Sequence, residues 1–158
     1  MTMTGQTSNW LIRVSAAGLI AMTAIIGWQV FGRFVLGSSP SWTEQASLVL
    51  MIWYVFLAAA AGVHEGFHIR IELLETMSSP RNARRVRIAI QMFVAAFGLV
   101  LLVFGSQLVW LVRDHVIPSL GISRGLAYLP LPISGLLMAV FALAQAKADR
   151  PPAAAEDR

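Results

Sequence analysis

The sequence contains no cysteine, which excludes a disulfide framework, a thiolate metal site and a cysteine nucleophile. Charge is scarce as well. Of 158 residues only 13% are Asp, Glu, Lys or Arg, against about 25% in a soluble domain. Hydrophobic residues make up 57% and the mean hydropathy is +0.68, so an ordinary soluble enzyme and a disordered tail are both excluded. The formal charge of +4 raises the possibility of a nucleic-acid partner. The position of the charges argues against one, because they are expelled from long apolar runs.

Four stretches, 14–32, 46–63, 88–112 and 125–146, hold no Asp, Glu, Lys, Arg or His. A bilayer core about 30 Å thick takes roughly 20 helical residues at 1.5 Å each. The stretches run from 18 to 25 residues, so each is long enough to cross. In hydrocarbon every backbone polar group must be bonded internally, which makes these spans helices. The expectation is an all-α integral membrane protein with four transmembrane helices in one domain, 1–148, and a disordered cytoplasmic tail at 149–158. The first stretch is longer than the 7–15 apolar residues of a signal peptide and lacks a small-residue cleavage site, so it is expected to stay as a membrane helix.

Orientation follows from the flanking cations. Arg13, Arg70, Arg81, Arg84, Arg85, Arg87, Lys147, Arg150 and Arg158 fall on one side, while Arg33, Arg113 and Arg124 fall on the other. The first group is expected in the cytoplasm, with both termini. Trp10 then lies near the inner boundary, and Trp42 and Trp110 near the outer one, as headgroup-level anchors. Trp53 and Tyr54 fall at mid-membrane, where they are either bulk or a flat contact for a neighbouring helix.

The uncharged spans argue against transport or catalysis by this chain alone, since transport usually needs ionisable groups or broken helices near the midplane. Pro130 and Pro132 lie in the outer part of the fourth stretch and mark an irregular start before a straight segment from Ile133. Small residues at helical spacing, Ala17, Ala21 and Ala24 on the first helix and Ala58 and Gly62 on the second, are expected to pack against other helices. His64 and His68 sit at the cytoplasmic end of the second helix and His115 at the outer end of the third. That separation excludes an intramolecular axial pair for haem. The i, i+4 pair His64 and His68 lacks a third ligand for zinc, so His68 is read as an interfacial hydrogen-bonding group. No cofactor is expected. Residues 65–77 are too short and too charged to span, and are read as an amphipathic interfacial helix between the second and third spans. Arg81, Arg84, Arg85 and Arg87 would lie against anionic lipid headgroups; the alternative for this segment is a docking ledge for a partner protein.

Three stretches together resemble the small membrane subunit (small permease, DctQ-type) of tripartite ATP-independent periplasmic (TRAP) transporters. They are Arg33 followed by Ser41-Trp42-Thr43-Glu44 leading to Trp53 and Phe56-Leu57-Ala58-Ala59; Gly66-Phe67-His68-Ile69-Arg70-Ile71-Glu72; and Gly121-Ile122-Ser123-Arg124-Gly125 continuing through Tyr128-Leu129-Pro130-Leu131-Pro132-Ile133. The family often carries two acids after the tryptophan; here the second is Gln45, which offers only a neutral hydrogen bond if that acid pairs with a base. Glu44 suits the positive end of the second helix dipole, and an Arg33–Glu44 bridge across the first connection is expected.

The resemblance implies a division of labour. A large permease subunit carries substrate and sodium by an elevator-type movement, and a periplasmic substrate-binding protein captures an organic acid. The small subunit is no enzyme. It is a scaffold in the bacterial inner membrane, supporting the large permease in a symport system. Arg33, Trp42, Glu44, Trp53, His68, Glu72, Tyr128 and Pro132 are the candidate partner or structural residues. The outer connections at 38–42 and 117–125 would border the docking site of the binding protein. The readings from other classes are a membrane anchor of a redox enzyme complex and a small autonomous exporter, which the empty spans disfavour.

Overall fold

A computed structural model of the chain describes residues 3–38, 40–65 and 80–148. The elements in chain order are α1 (Met3–Phe34), α2 (Trp42–Glu65), α3 (Pro80–Val112), β1 (Val116–Ile117), β2 (Ile122–Ser123), α4 (Arg124–Tyr128) and α5 (Pro130–Ala148). Four helical segments are long and apolar enough to cross a bilayer: Asn9–Phe34, Trp42–His64, Arg84–Val112 and Arg124–Lys147. The all-α, four-span reading therefore holds. The helices overrun the uncharged stretches because charged side chains at a helix end are tolerated where they reach the interface. The expected interfacial helix at 65–77 and the tail at 149–158 lie outside the described residues, apart from Glu65 at the end of α2.

The helices stand as a row, α1 against α2, α2 against α5, and α5 against α3. Contacts at the two ends give their directions. Gln145, near the end of α5, donates to the carbonyls of Val63 and His64 at the end of α2, and accepts from Gln91 near the start of α3. At the other end Gly125 of α4 packs on Arg113 and Val109 at the end of α3. The helices therefore alternate in direction. One end carries the α1–α2 connection and the β1–β2 hairpin (the hairpin end), and the other carries the start of α1 and the end of α5 (the terminal end).

The tightest packing is between α3 and α5, where Gly98 faces Gly135. A Cβ on Gly135 would stand 2.6 Å from the Gly98 carbonyl oxygen and 2.7 Å from the Leu102 nitrogen. Two turns further along α3, a Cβ on Gly105 would meet the Pro132 nitrogen at 3.0 Å. Ala95, Ala139, Ala142 and Ala146 complete the buried seam. Lipid tails are as apolar as a helix surface, so helices associate by close approach and hydrogen bonds. Glycine and alanine permit that approach.

The buried faces differ from those expected. Ala17, Ala21 and Ala24 are exposed; the side of α1 turned to α2 carries Ser15, Gly18, Met22, Ile25, Gln29 and Gly32. On α2, Ala58 is exposed and Gly62 half-buried, whereas Leu57, Ala60 and Ala61 are buried. Small residues sit at neighbouring angular positions on both helices, so spacing alone did not single out the contact face. The fourth span begins where expected, at Arg124, and its long helix opens three residues before Ile133. Pro130 opens α5, where a missing N–H costs nothing, and the five-residue α4 precedes it. The Ile133 amide reaches the Leu129 carbonyl at 3.4 Å, so the irregularity is confined to the proline pair.

Candidate functional site

The hairpin end gathers four of the eight sequence-nominated residues, Arg33, Trp42, Glu44 and Tyr128. α1 closes with Arg33 in its last turn, exposed. The chain then folds back over Gly32, whose carbonyl accepts from the Leu36 and Ser38 amides at 3.2 and 3.1 Å. Gly37 makes the reversal at φ +64°, a left-handed conformation that suits glycine. Thr43 locks the start of α2: it is fully buried, and its Oγ1 donates to the Pro40 carbonyl at 2.8 Å. Its neighbours Trp42 and Glu44 are left exposed, with Glu44 in the first turn of α2 where a carboxylate complements the helix dipole.

The expected Arg33–Glu44 bridge does not form. Among the described residues the ion pair is Arg113–Asp114, at 3.4 Å. Arg33 and Glu44 are both exposed, and an exposed pair gains only about 0–1 kcal/mol. That is too little to order two long side chains across a seven-residue connection.

On the other side of the same end, a hairpin joins α3 to α4. Val116 pairs with Ser123 and Ile117 with Ile122. The turn between them uses Pro118 in its first corner, a bond from the Leu120 amide to the Ile117 carbonyl at 3.1 Å, and Gly121 at φ +67°. Ser123 has two tasks. Its Oγ accepts from the Gly125 amide at 3.1 Å, capping α4, and donates to the Arg113 carbonyl at the end of α3. Gly125 is buried; a Cβ there would stand 3.0 Å from the Arg113 Cα. Arg113 itself lies over the exposed Trp110 ring, 3.7 Å from its centroid, a cation–π contact.

Between α2 and this hairpin lies a half-open groove of about 460 Å³. Leu48, Val49, Ile52 and Phe56 of α2 face Ile117 and Ala127, and Gln45, Arg124 and Tyr128 supply its polar groups. The structure thus places Tyr128 and Gln45 on the same groove. Pro132 is half-buried against Gly105 and serves the α3–α5 seam. Trp53 is half-buried at the middle of α2, away from this end. Its neighbour Tyr54 does contact another helix: its Cβ would stand 3.0 Å from a Cβ on Gly18 of α1. His68 and Glu72 lie outside the described residues.

Sequence reasoning missed the polar clamp at the terminal end. The Gln145 amide donates to the Val63 and His64 carbonyls at 2.8 and 3.0 Å, two acceptors that the end of α2 leaves without helical partners. Its oxygen accepts from Gln91 at 2.5 Å. One side chain therefore ties α2, α3 and α5 together. Two glutamines 54 positions apart in an uncharged background carry no spacing signal. His64 stacks edge-on against Phe141, with centroids 5.0 Å apart. Among the described residues no group of three His, Asp or Glu side chains is placed to hold a metal ion.

Residues 22–150 match the family model of the DctQ component of tripartite ATP-independent periplasmic transporters. The chain is 24% identical over 129 residues to the ectoine TRAP transporter small permease protein TeaB of Halomonas elongata, which covers 80% of this chain and 67% of that one. It is also 24% identical over 132 residues to a protein of Haemophilus influenzae provisionally named as a TRAP transporter small permease protein, covering 82% and 81% of the two chains.

Proposed function

Because this chain belongs to the DctQ component family of tripartite ATP-independent periplasmic transporters, a family of transporter components and not of enzymes, we propose that it is the small scaffold subunit of a sodium-coupled importer of organic acids. In this reading it sits in the bacterial inner membrane with both termini in the cytoplasm. It supports a large permease subunit that carries substrate and sodium, and its hairpin end borders the docking site of a periplasmic substrate-binding protein. Family membership also removes the ground for the redox-anchor alternative.

The observation that carries the scaffold role is the contrast between what the spans lack and what they leave uncovered. The four stretches offer no Asp, Glu, Lys, Arg or His for a coupling ion. Only 6% of the apolar window of α1 is buried against the rest of the chain, compared with 50% for the Arg124–Lys147 span. A helix held to its bundle along one side, next to an array without a transport site, fits a part that widens another membrane protein.

Reconstitution tests this. Vesicles containing the large permease and this chain, with binding protein and a sodium gradient, should take up substrate, and vesicles lacking this chain should not. Uptake by this chain alone would refute the scaffold role. Full uptake by the permease and binding protein without it would refute its necessity.

A further inference from the structure

The groove at the hairpin end has the shape and polarity of a phospholipid site. Its α2 wall descends from Gln45 through Leu48 and Ile52 to Phe56. Eleven helical rises of 1.5 Å from Gln45 to Phe56 make about 16 Å, the depth of one leaflet of a hydrocarbon core about 30 Å thick. Leu48, Met51 and Val55 on that wall are 50%, 46% and 42% exposed, so it stays uncovered by the rest of the chain. The polar groups are at one end only. Gln45 starts α2, and Arg124 and Tyr128 come from α4, all at the level where the spans end.

Arg124 supplies the sign of the headgroup. Its backbone amide is held by the His115 carbonyl at 2.7 Å, while its side chain is exposed toward the groove and has no carboxylate within ion-pair distance among the described residues. The neighbouring Arg113 differs, with Asp114 at 3.4 Å and the Trp110 ring beneath it. A guanidinium at headgroup depth above an apolar channel one leaflet long is complementary to a phosphate joined to an acyl chain. A protein helix seated there would leave that cation to be matched by an acid of its own.

We propose that this groove binds one anionic phospholipid, its phosphate on Arg124 with Tyr128 and Gln45 beside it and an acyl chain along Leu48, Ile52 and Val55. The site is independent of the scaffold reading, since it needs only this chain and a bilayer. The test is native mass spectrometry of the full chain in detergent, titrated with phosphatidylglycerol and with phosphatidylethanolamine. Both lipids present a phosphate to Arg124, but the ammonium of phosphatidylethanolamine cancels its charge, so the wild type should prefer phosphatidylglycerol by about fivefold, the worth of one exposed charge interaction. Arg124→Gln should bring the ratio near one. Arg13→Gln, exposed on α1 toward the terminal end, should leave it unchanged. Leu48→Trp, at an exposed position on the wall, should lower occupancy by both lipids without lowering the melting temperature. No preference in the wild type, or equal loss in the two arginine variants, would overturn the proposal. So would a photo-crosslinker at Met51 that labels protein instead of lipid when the full chain sits in a bilayer.

Discussion

Replacing Gly135 by alanine should destabilise this protein, whereas the same change at Gly27 should not. The added Cβ at 135 would stand 2.6 Å from the Gly98 oxygen and 2.7 Å from the Leu102 nitrogen, both main-chain atoms that cannot rotate away. Real Cβ contacts essentially never fall below 3.0 Å, so α3 and α5 must part by several tenths of an ångström. A gap of about 0.5–1 Å forfeits a quarter to a half of each dispersion contact along the seam. Overpacking of this kind costs about 1–3 kcal/mol, and between membrane helices no hydrophobic term offsets it. At Gly27 nothing lies within 4 Å, and alanine in a helix is favoured over glycine by about 0.5–1 kcal/mol. One methyl group is thus expected to act with opposite signs at two sites. Equilibrium unfolding in mixed micelles, followed by far-ultraviolet circular dichroism, measures both. Gly98→Ala combined with Gly135→Ala should cost less than the sum of the two, because one separation of the helices accommodates both methyls. If Gly135→Ala were as stable as Gly27→Ala, the close approach of α3 and α5 would be refuted, and with it the packing argument.

Gln145→Leu should destabilise by about 1–3 kcal/mol by stranding the Gln91 amide and two α2 carbonyls, and hydrogen exchange should show the last turn of α2 opening more often than in the wild type. Unchanged exchange there would mean that the clamp does not cap α2. Ser123→Ala removes the cap of α4 and its tie to α3, at about 0.5–2 kcal/mol; limited proteolysis between α3 and α5 should speed up. Trp42→Ala or Glu44→Ala should reduce copurification with the large permease while leaving the binding protein's substrate affinity unchanged. Full copurification of both variants would remove these residues from the interface.

The nominated residues divide by the kind of signal each carried. In Ser41-Trp42-Thr43-Glu44 the large and charged side chains drew attention, yet it is Thr43 that is buried and bonded, while Trp42 and Glu44 face outward. An exposed tryptophan and an exposed acid suit a partner surface; a buried threonine holds the turn that presents them. In Gly121-Ile122-Ser123-Arg124-Gly125 the sequence showed a pattern without its reason. The structure supplies one for each position named: a left-handed turn at Gly121, a cap at Ser123 and a close helix approach at Gly125. The Arg33–Glu44 bridge was inferred from opposite charges on adjacent helix ends, and water at that end makes such a pair too weak to organise either side chain.

The number of spans, their positions and their alternating course were determined by the sequence alone. A charge in hydrocarbon is expensive and a broken hydrogen bond hardly less so, and these costs act on each segment separately. Which side of each helix turns inward was decided only in the tertiary structure. Lipid and helix are equally apolar, so no hydrophobic stripe separates a buried face from a lipid-facing one. Ala17, Ala21 and Ala24 could not be told from Ser15, Gly18 and Met22 until α2 was in place. Gln91 and Gln145, or Gly98 and Gly135, acquire their meaning only when two helices distant in the chain bring them within bonding or contact distance.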